Sequence, residues 1–294
     1  MVESLQLNAW LGQRWEHVEA SFRRTFGFTD LKRALALLRS SEWPIALPEA
    51  FACHPMCEDA KRKRGKGIVD LFIDQDLNNV RFLDFGCGEG HAVCAAQEDG
   101  PSIALGYDIC PSERWSTLEK REGNGAVFST DFGRVATLGP YDVVLLFDVL
   151  DHVTKMSPQH VLGQAASLLA ENGRMYLRCH PFTSRHALHV YPHLNKAFLH
   201  LVFTPKELSS LASPPLIPHP HIRGSRPLDA YEAAFSGAGL RVVNRQIMTQ
   251  RVEPFFQQPL IAARIMRTLD VGVFPAFQMS LQFVDYVLER DDST

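Results

Sequence analysis

From about residue 67 the chain alternates between short apolar runs and segments with helical spacing. VRFLDF (80–85), SIALGYDI (102–109), AVFSTDF (126–132), YDVVLLFDVL (141–150) and GRMYLRCHPF (173–182) read as strands. Ala92–Glu98, Ser112–Arg121 and Ser157–Leu169 lie between them and read as helices, the last with Asn172-Gly173 as its C-cap signal. A helix over Leu228–Ala238 and a strand over 240–248 continue the rhythm. SLQFVDYVLER (280–290) reads as a closing strand, with a helix as the alternative. Near-continuous apolar strands separated by helices predict an α/β fold with a mostly parallel sheet covered on both faces. Residues 1–66 carry helical periodicity instead, at Leu31, Ala34, Leu35, Leu37 and Leu38, and predict a helical N-terminal extension. The expected organisation is therefore an extension over 1–66, an α/β domain over 67–294, and an insertion at about 183–226 rich in proline and histidine.

Within this pattern the first strand runs into RFLDFGCGEGH (81–91), delivering Asp84, then Gly86, Cys87, Gly88 and Gly90, to the edge where open α/β sheets bind ligands. The spacing is G-x-G-x-G. It is neither the G-x-G-x-x-G of dinucleotide folds nor a P-loop. Charge separates the remaining candidates. Asp84, Glu89, Asp108 and Asp131 gather at successive strand ends, and such carboxylates repel phosphate. They suit a ligand with cationic centres and sugar hydroxyls. S-adenosylmethionine carries an ammonium, a sulfonium and a ribose diol, and a carboxylate ending the second strand, here Asp108, can take both ribose hydroxyls.

At these residues the sequence resembles the class I S-adenosylmethionine-dependent methyltransferases. The matching segments are FLDFGCGEG (82–90), GYDI (106–109), STDF (129–132), YDVVLLFDVLDHV (141–153) and LLAENGRMYLR (168–178), with weaker agreement in 231–243. The resemblance implies a Rossmann-like, doubly wound sheet with an antiparallel closing strand. It implies that Asp84 with Gly86, Cys87, Gly88 and Gly90 holds the methionine end of the cofactor, and that Asp108 and Ile109 meet the ribose side. Asp131 would face the adenine amino group with Phe132 beside the ring, and Phe147 would border the transferred methyl. The expected reaction leaves S-adenosylhomocysteine.

The acceptor is less constrained. The turn after the fourth strand reads Phe147-Asp148-Val149-Leu150-Asp151-His152, without the [DNS]-P-P-[FYW] of base amino-methylation or the Pro-Cys of cytosine C5 methylation. It resembles the V-L-E-H segment of small-molecule and quinone-type methyltransferases, which implies His152 as a base; Asp148, ending the fourth strand, and His180, where the fifth strand ends, complete the candidate catalytic residues. The expected acceptor is a small molecule or protein side chain. Seven of the twelve histidines fall in 180–221. The stretch from His180 through Arg185 and His186 reads as an acceptor-binding lid, and His186 to Phe203 beyond it as a helix. His186, His189 and His193 have ligand-like spacings, but no cysteine or carboxylate lies close enough to complete a metal site.

Net charge is −3, 46% of residues are hydrophobic and 21% charged, so nothing in the whole molecule attracts nucleic acid or an anionic membrane. One local feature does: Lys61, Arg62, Lys63, Arg64 and Lys66, which read either as a phosphate clamp of an RNA or DNA methyltransferase or as the solvated end of a helix. A non-catalytic methyltransferase-like module is the third reading. No apolar run approaches the ~20 residues that span a bilayer. The six scattered cysteines suit reduced thiols, and the expected location is the cytoplasm.

Overall fold

The computed structural model describes residues 31–47, 57–122, 125–211 apart from His186, Leu188, His189 and Pro192, and then 226–250, 254–272 and 275–291. Its centre is a seven-stranded sheet of order β3-β2-β1-β4-β5-β7-β6. The strands are β1 (Arg81–Phe85), β2 (Ile103–Tyr107), β3 (Ala126–Ser129), β4 (Tyr141–Phe147), β5 (Leu169–Cys179), β6 (Leu240–Thr249) and β7 (Leu281–Arg290). The pairings β1–β2, β1–β4, β2–β3 and β4–β5 are parallel, and β7 runs antiparallel to β5. The strand reading of 280–290 thus holds over its helical alternative.

The helices are α1 (Leu31–Leu38), α2 (Glu58–Phe72), α3 (His91–Glu98), α4 (Trp115–Glu122), α5 (Phe132–Leu138), α6 (Pro158–Ser167), α7 (Leu199–Val202), α8 (Pro205–Ser209), α9 (Leu228–Gly237), α10 (Pro259–Leu269) and α11 (Ala276–Ser280). Successive strand side chains point to opposite faces, and here both faces are buried. Leu83, Phe85, Leu105, Tyr107, Val144 and Leu146 pack with α5, α6 and α9 through Val135, Val161, Tyr231 and Phe235. Phe82, Ala104, Val143 and Leu145 pack on the other face with Val69 of α2, Val93 and Ala96 of α3, and Trp115 and Leu118 of α4. That two-sided burial is why β1, β2 and β4 read as continuous apolar runs.

The chain divides into two compact units. One is 55–180, 223–247 and 284–294; the other is 1–54, 181–222 and 248–283. The first holds β1 to β5 and most of β6 and β7, and α2 belongs to it, running continuously through the expected boundary at 66/67. Described residues of the second unit build their own core from Trp43, Phe198, Phe203, Phe255, Phe256 and Ile261. There Arg264 is buried, donates to the Val202 carbonyl at 2.6 Å, and pairs with Glu207 at 2.6 Å.

Two local readings are corrected. Asn172-Gly173 does not cap α6; it lies inside β5. The β4–β5 register jumps here from Tyr141↔Leu169 to Val143↔Arg174, and a Cβ at position 173 would stand 2.8 Å from the Tyr141 carbonyl oxygen. The glycine serves a close backbone approach at a bulge. The helix expected over His186 to Phe203 also does not form as a unit, since Leu194–Lys196 are non-helical and α7 starts only at Leu199. Phe198 adopts φ 59, a left-handed conformation that interrupts a right-handed helix.

Candidate active site

The glycine turn leaves β1 with Gly86 and Gly90 at φ 90 and Gly88 at φ 51. Added carbons at Gly86 and Gly90 would stand 2.6 Å from Val149 and 2.4 Å from the Phe128 ring, so these two let the turn lie against its neighbours. Gly88 differs, because a Cβ there would meet nothing within 4 Å. The space over the middle of the turn is open, as a cradle for a ligand requires. The Gly86 and Cys87 amides donate to the Tyr107 carbonyl at 2.7 and 3.0 Å, tying the turn to the end of β2. Trp115 donates from its indole N–H to the Gly88 carbonyl at 2.9 Å and stacks on Phe128.

Carboxylates line the same edge. Asp84 is buried, and burial together with the neighbouring charge of Asp108 raises its pKa to about 7 against a smaller opposing pull from Arg64. Asp108 accepts from the Gly88 amide through one oxygen and from the Cys110 amide through the other, both at 3.0 Å. Ile109, beside it, is 72% exposed. Asp131 caps α5, accepting from the Gly133 and Arg134 amides at 2.8 and 3.4 Å, and Phe132 packs edge-on against Tyr107. Cys87 is a half-buried thiol whose pKa burial pushes up.

Beyond β4, Asp148 occupies φ 58, an uncommon conformation for a non-glycine residue. Its carboxylate meets two partners at once: His180 Nε2 lies 3.1 Å from Oδ1, and an Arg64 guanidinium nitrogen lies 3.1 Å from Oδ2. Burial pushes the Asp148 carboxyl upward, but His180, Arg64 and Arg178 together hold it well below the usual range. Phe147 lies beneath this cluster, its ring 4.6 Å from the Arg178 guanidinium and 5.6 Å from that of Arg64. Arg178 is itself clamped by Asp285 through two contacts of 2.6 Å.

The structure therefore brings Asp148 and His180 together. His152 instead stands 3.8 Å from Asp151 in the short 3-10 turn Leu150–His152. Arg185 belongs to the second unit, where its backbone amide donates to Gln250 at 3.1 Å, and His186 and His189 lie outside the described residues.

Two site features escape a sequence reading. One is α2 itself. Gly65 lets it approach α3 so closely that a Cβ there would sit 2.5 Å from the His91 carbonyl oxygen. Glu58, Lys61 and Arg64, spaced three apart along one helix face, then reach the ligand edge. Lys61 pairs with Glu89 at 2.6 Å, Glu58 pairs with His91 at 2.9 Å and with Arg114, and Arg64 reaches Asp148. The other feature is the fate of the basic run. Arg62 pairs with Glu98, Lys63 with Asp59 and Lys66 with Asp70, so each of the five cations has an acidic partner within its own unit.

The donor set suits S-adenosylmethionine: an open glycine cradle flanked by the carboxylates Asp84 and Asp108, with Lys61 of the nearby α2 already paired to Glu89. Among the described residues no helix is long and apolar enough to cross a membrane. Comparison with curated proteins returned no match. Solved structures are similar in fold: the PH0226 protein from Pyrococcus horikoshii OT3 matches with a TM-score of 0.50 at 14% identity, covering 81% of this chain and 94% of that one. The magnesium protoporphyrin IX methyltransferase of Synechocystis PCC 6803, solved with bound S-adenosylhomocysteine, matches at 0.47 and 15% identity over 95% and 93% of the two chains. The 1,6-didemethyltoxoflavin-N1-methyltransferase of Burkholderia thailandensis matches at 0.45 and 14% identity over 80% of each. A family described as a methyltransferase domain matches residues 29–244, most of the chain. With the sheet order, the glycine cradle and its carboxylates, this match places the chain in that family, among the class I S-adenosylmethionine-dependent methyltransferases.

Proposed function

We propose that the enzyme methylates a small molecule at an oxygen or nitrogen that gives up a proton to His180, with Asp148 orienting the imidazole. The observation that carries this reading is the 3.1 Å contact between His180 Nε2 and Asp148 Oδ1 beyond the carboxyl ends of β4 and β5. A carboxylate only accepts, so Nε2 carries the proton, and Nδ1 is the nitrogen that takes the next one. The Asp148 charge stabilises the imidazolium that results. Bound S-adenosylmethionine supplies a methyl carbon already activated by positive sulfur. The chain has to align the acceptor and remove its proton.

Asp84 and the glycine turn hold the methionine end in this reading, and Asp108 takes the ribose hydroxyls. Ile109 and Phe132 flank the adenine, Asp131 faces its amino group, and Phe147 borders the methyl. His152, beside Asp151 rather than Asp148, is a secondary candidate. The free thiols of Cys57, Cys87, Cys94, Cys110 and Cys179 support a reducing, cytoplasmic setting. Clamping of RNA or DNA by Lys61 to Lys66 has less support, because every cation of the run is paired with a carboxylate.

The test is S-adenosylhomocysteine release across a panel of hydroxyl and amine acceptors. With any acceptor that turns over, His180→Gln and Asp148→Asn are expected to lower kcat by about 100-fold or more, with cofactor affinity kept within a few-fold for His180→Gln. Full turnover by His180→Gln refutes the assignment of the base.

A further inference from the structure

We propose that Arg64 is a positioning residue that yields Asp148 to His180 when the cofactor's carboxylate arrives, so that the base is fully supported only in the loaded enzyme. The inference rests on His180 being that base. Asp148 is shared: one oxygen faces His180 and the other Arg64, each at 3.1 Å. Part of its charge is thus spent on a guanidinium that does no chemistry.

The surroundings point to Arg64 as the mobile member. Its side chain is about half exposed and makes a single contact with Asp148, whereas Arg178 is only about a fifth exposed and fixed bidentately by Asp285. S-adenosylmethionine carries one anionic group among its cations, and it must enter an edge already crowded with Asp84, Asp108 and Glu89. Lys61 is nearly buried and bonded to both oxygens of Glu89 at 2.9 and 2.6 Å, and Arg114 is turned to Glu58. Arg64 stands within electrostatic reach of Asp84, at the turn that receives the methionine end, and equally of Asp148. A guanidinium pairs well with a carboxylate, and a long half-exposed side chain swings at little cost.

Once Arg64 turns to the ligand, Asp148 is left with its full charge for His180, and the imidazole binds its proton more tightly. The other charged groups around the pair are Arg178 of β5 with Asp285 of β7, Asp84 of β1, Asp151 and His152 of the turn after β4, and Glu232 of α9. They are present in both states, and the ionisation of Asp84 on cofactor binding is common to the wild type and Arg64→Gln, so a shift seen only in the wild type belongs to Arg64.

The experiment follows the His180 ring by NMR in the full chain with isotopically labelled histidine, titrated with and without saturating S-adenosylhomocysteine, which has the same carboxylate. His180→Gln identifies the resonance. In the wild type the product is expected to raise the protonation midpoint by about one unit. In Arg64→Gln the midpoint is already raised without ligand and does not move when ligand binds, while product affinity falls about tenfold. Arg64→Lys restores part of the ligand-driven shift, which a merely structural role would not do. A wild-type midpoint that stays put while calorimetry shows the product bound overturns the coupling, as does an unchanged shift in Arg64→Gln. Full turnover by His180→Gln removes the base and this inference with it. An inactive His180→Gln with an unmoved wild-type midpoint removes the coupling alone.

Discussion

Asp84 is a buried carboxylate whose pKa moves from an ordinary 3.8 to about 7, mainly through burial and secondarily through the charge of Asp108. A rise of about three units corresponds to about 4 kcal/mol of differential cost for the ionised form. Because the folded pKa lies above the unfolded one, this penalty is absent below about pH 4. It grows as pH rises and is complete above about pH 7. Replacing Asp84 by Asn removes the charge and keeps the shape. The ligand-free variant should therefore be more stable than wild type at pH 8, by about 2 kcal/mol once the burial cost of the amide itself is subtracted. At pH 4.5 the sign should reverse, the variant being less stable by about 1 kcal/mol because the amide's burial cost remains. Cofactor binding should move the opposite way, since an ammonium near Asp84 favours the ionised carboxylate and offsets its burial. Wild-type affinity for S-adenosylhomocysteine should fall up to about tenfold per pH unit below pH 7, with about half a proton released on binding at pH 7. Asp84→Asn should bind at least about 30-fold more weakly, with no such pH dependence. Urea denaturation at the two pH values and calorimetry in buffers of different ionisation enthalpy measure both effects. An Asn variant less stable than wild type at pH 8, or a wild-type affinity that is flat between pH 5.5 and 7, would refute the reasoning.

Other positions separate packing from ligand contact. Gly88→Ala should keep the fold at a cost of about 1–2 kcal/mol for its positive φ, because no protein atom stands in the way; product affinity by calorimetry should nonetheless drop at least tenfold as the methyl enters the cradle. Gly65→Val should destabilise by about 2 kcal/mol in urea, since α2 and α3 cannot close around the added carbons. It should also weaken cofactor binding by displacing Arg64. Neutralising Arg62, Lys63 and Lys66 together should leave turnover within twofold and produce no salt-dependent loss of RNA affinity, as read by filter binding. A steep loss would restore the phosphate-clamp reading.

The order of β1 to β5 was legible because strands buried on both faces are near-continuous apolar runs, and the glycine turn because its carboxylates exclude phosphate. Readings failed where one residue type serves two backbones. Asn172-Gly173 has the chemistry of a helix stop, and only the approach of Tyr141 reveals a bulge. The basic run misled for a related reason. Composition registers five cations, whereas their meaning depends on Glu89, Glu98 and Asp148, which tertiary structure brings to them. The pairing of Asp148 with His180 rather than with His152 was equally hidden. His152 is the nearer in sequence, yet the short 3-10 turn stands it beside Asp151, while the end of β5 carries His180 to Asp148.

The position of β7 has a consequence during synthesis. β6 lies at the edge of the sheet with β7 as its neighbour, but β7 begins at Leu281, well after β6 ends at Thr249. While the intervening segment emerges from the ribosome, β6 has its backbone ready and nothing to pair with. Val242 and Val243 are exposed even in the finished fold, which makes this strand a template for the wrong partner. Arg241 and Arg245 flank that pair of valines; Arg245 has its acid, Glu232, already made in α9, whereas Arg241 meets Glu289 only when β7 arrives. Until then the unneutralised charge of Arg241 guards the strand against self-association.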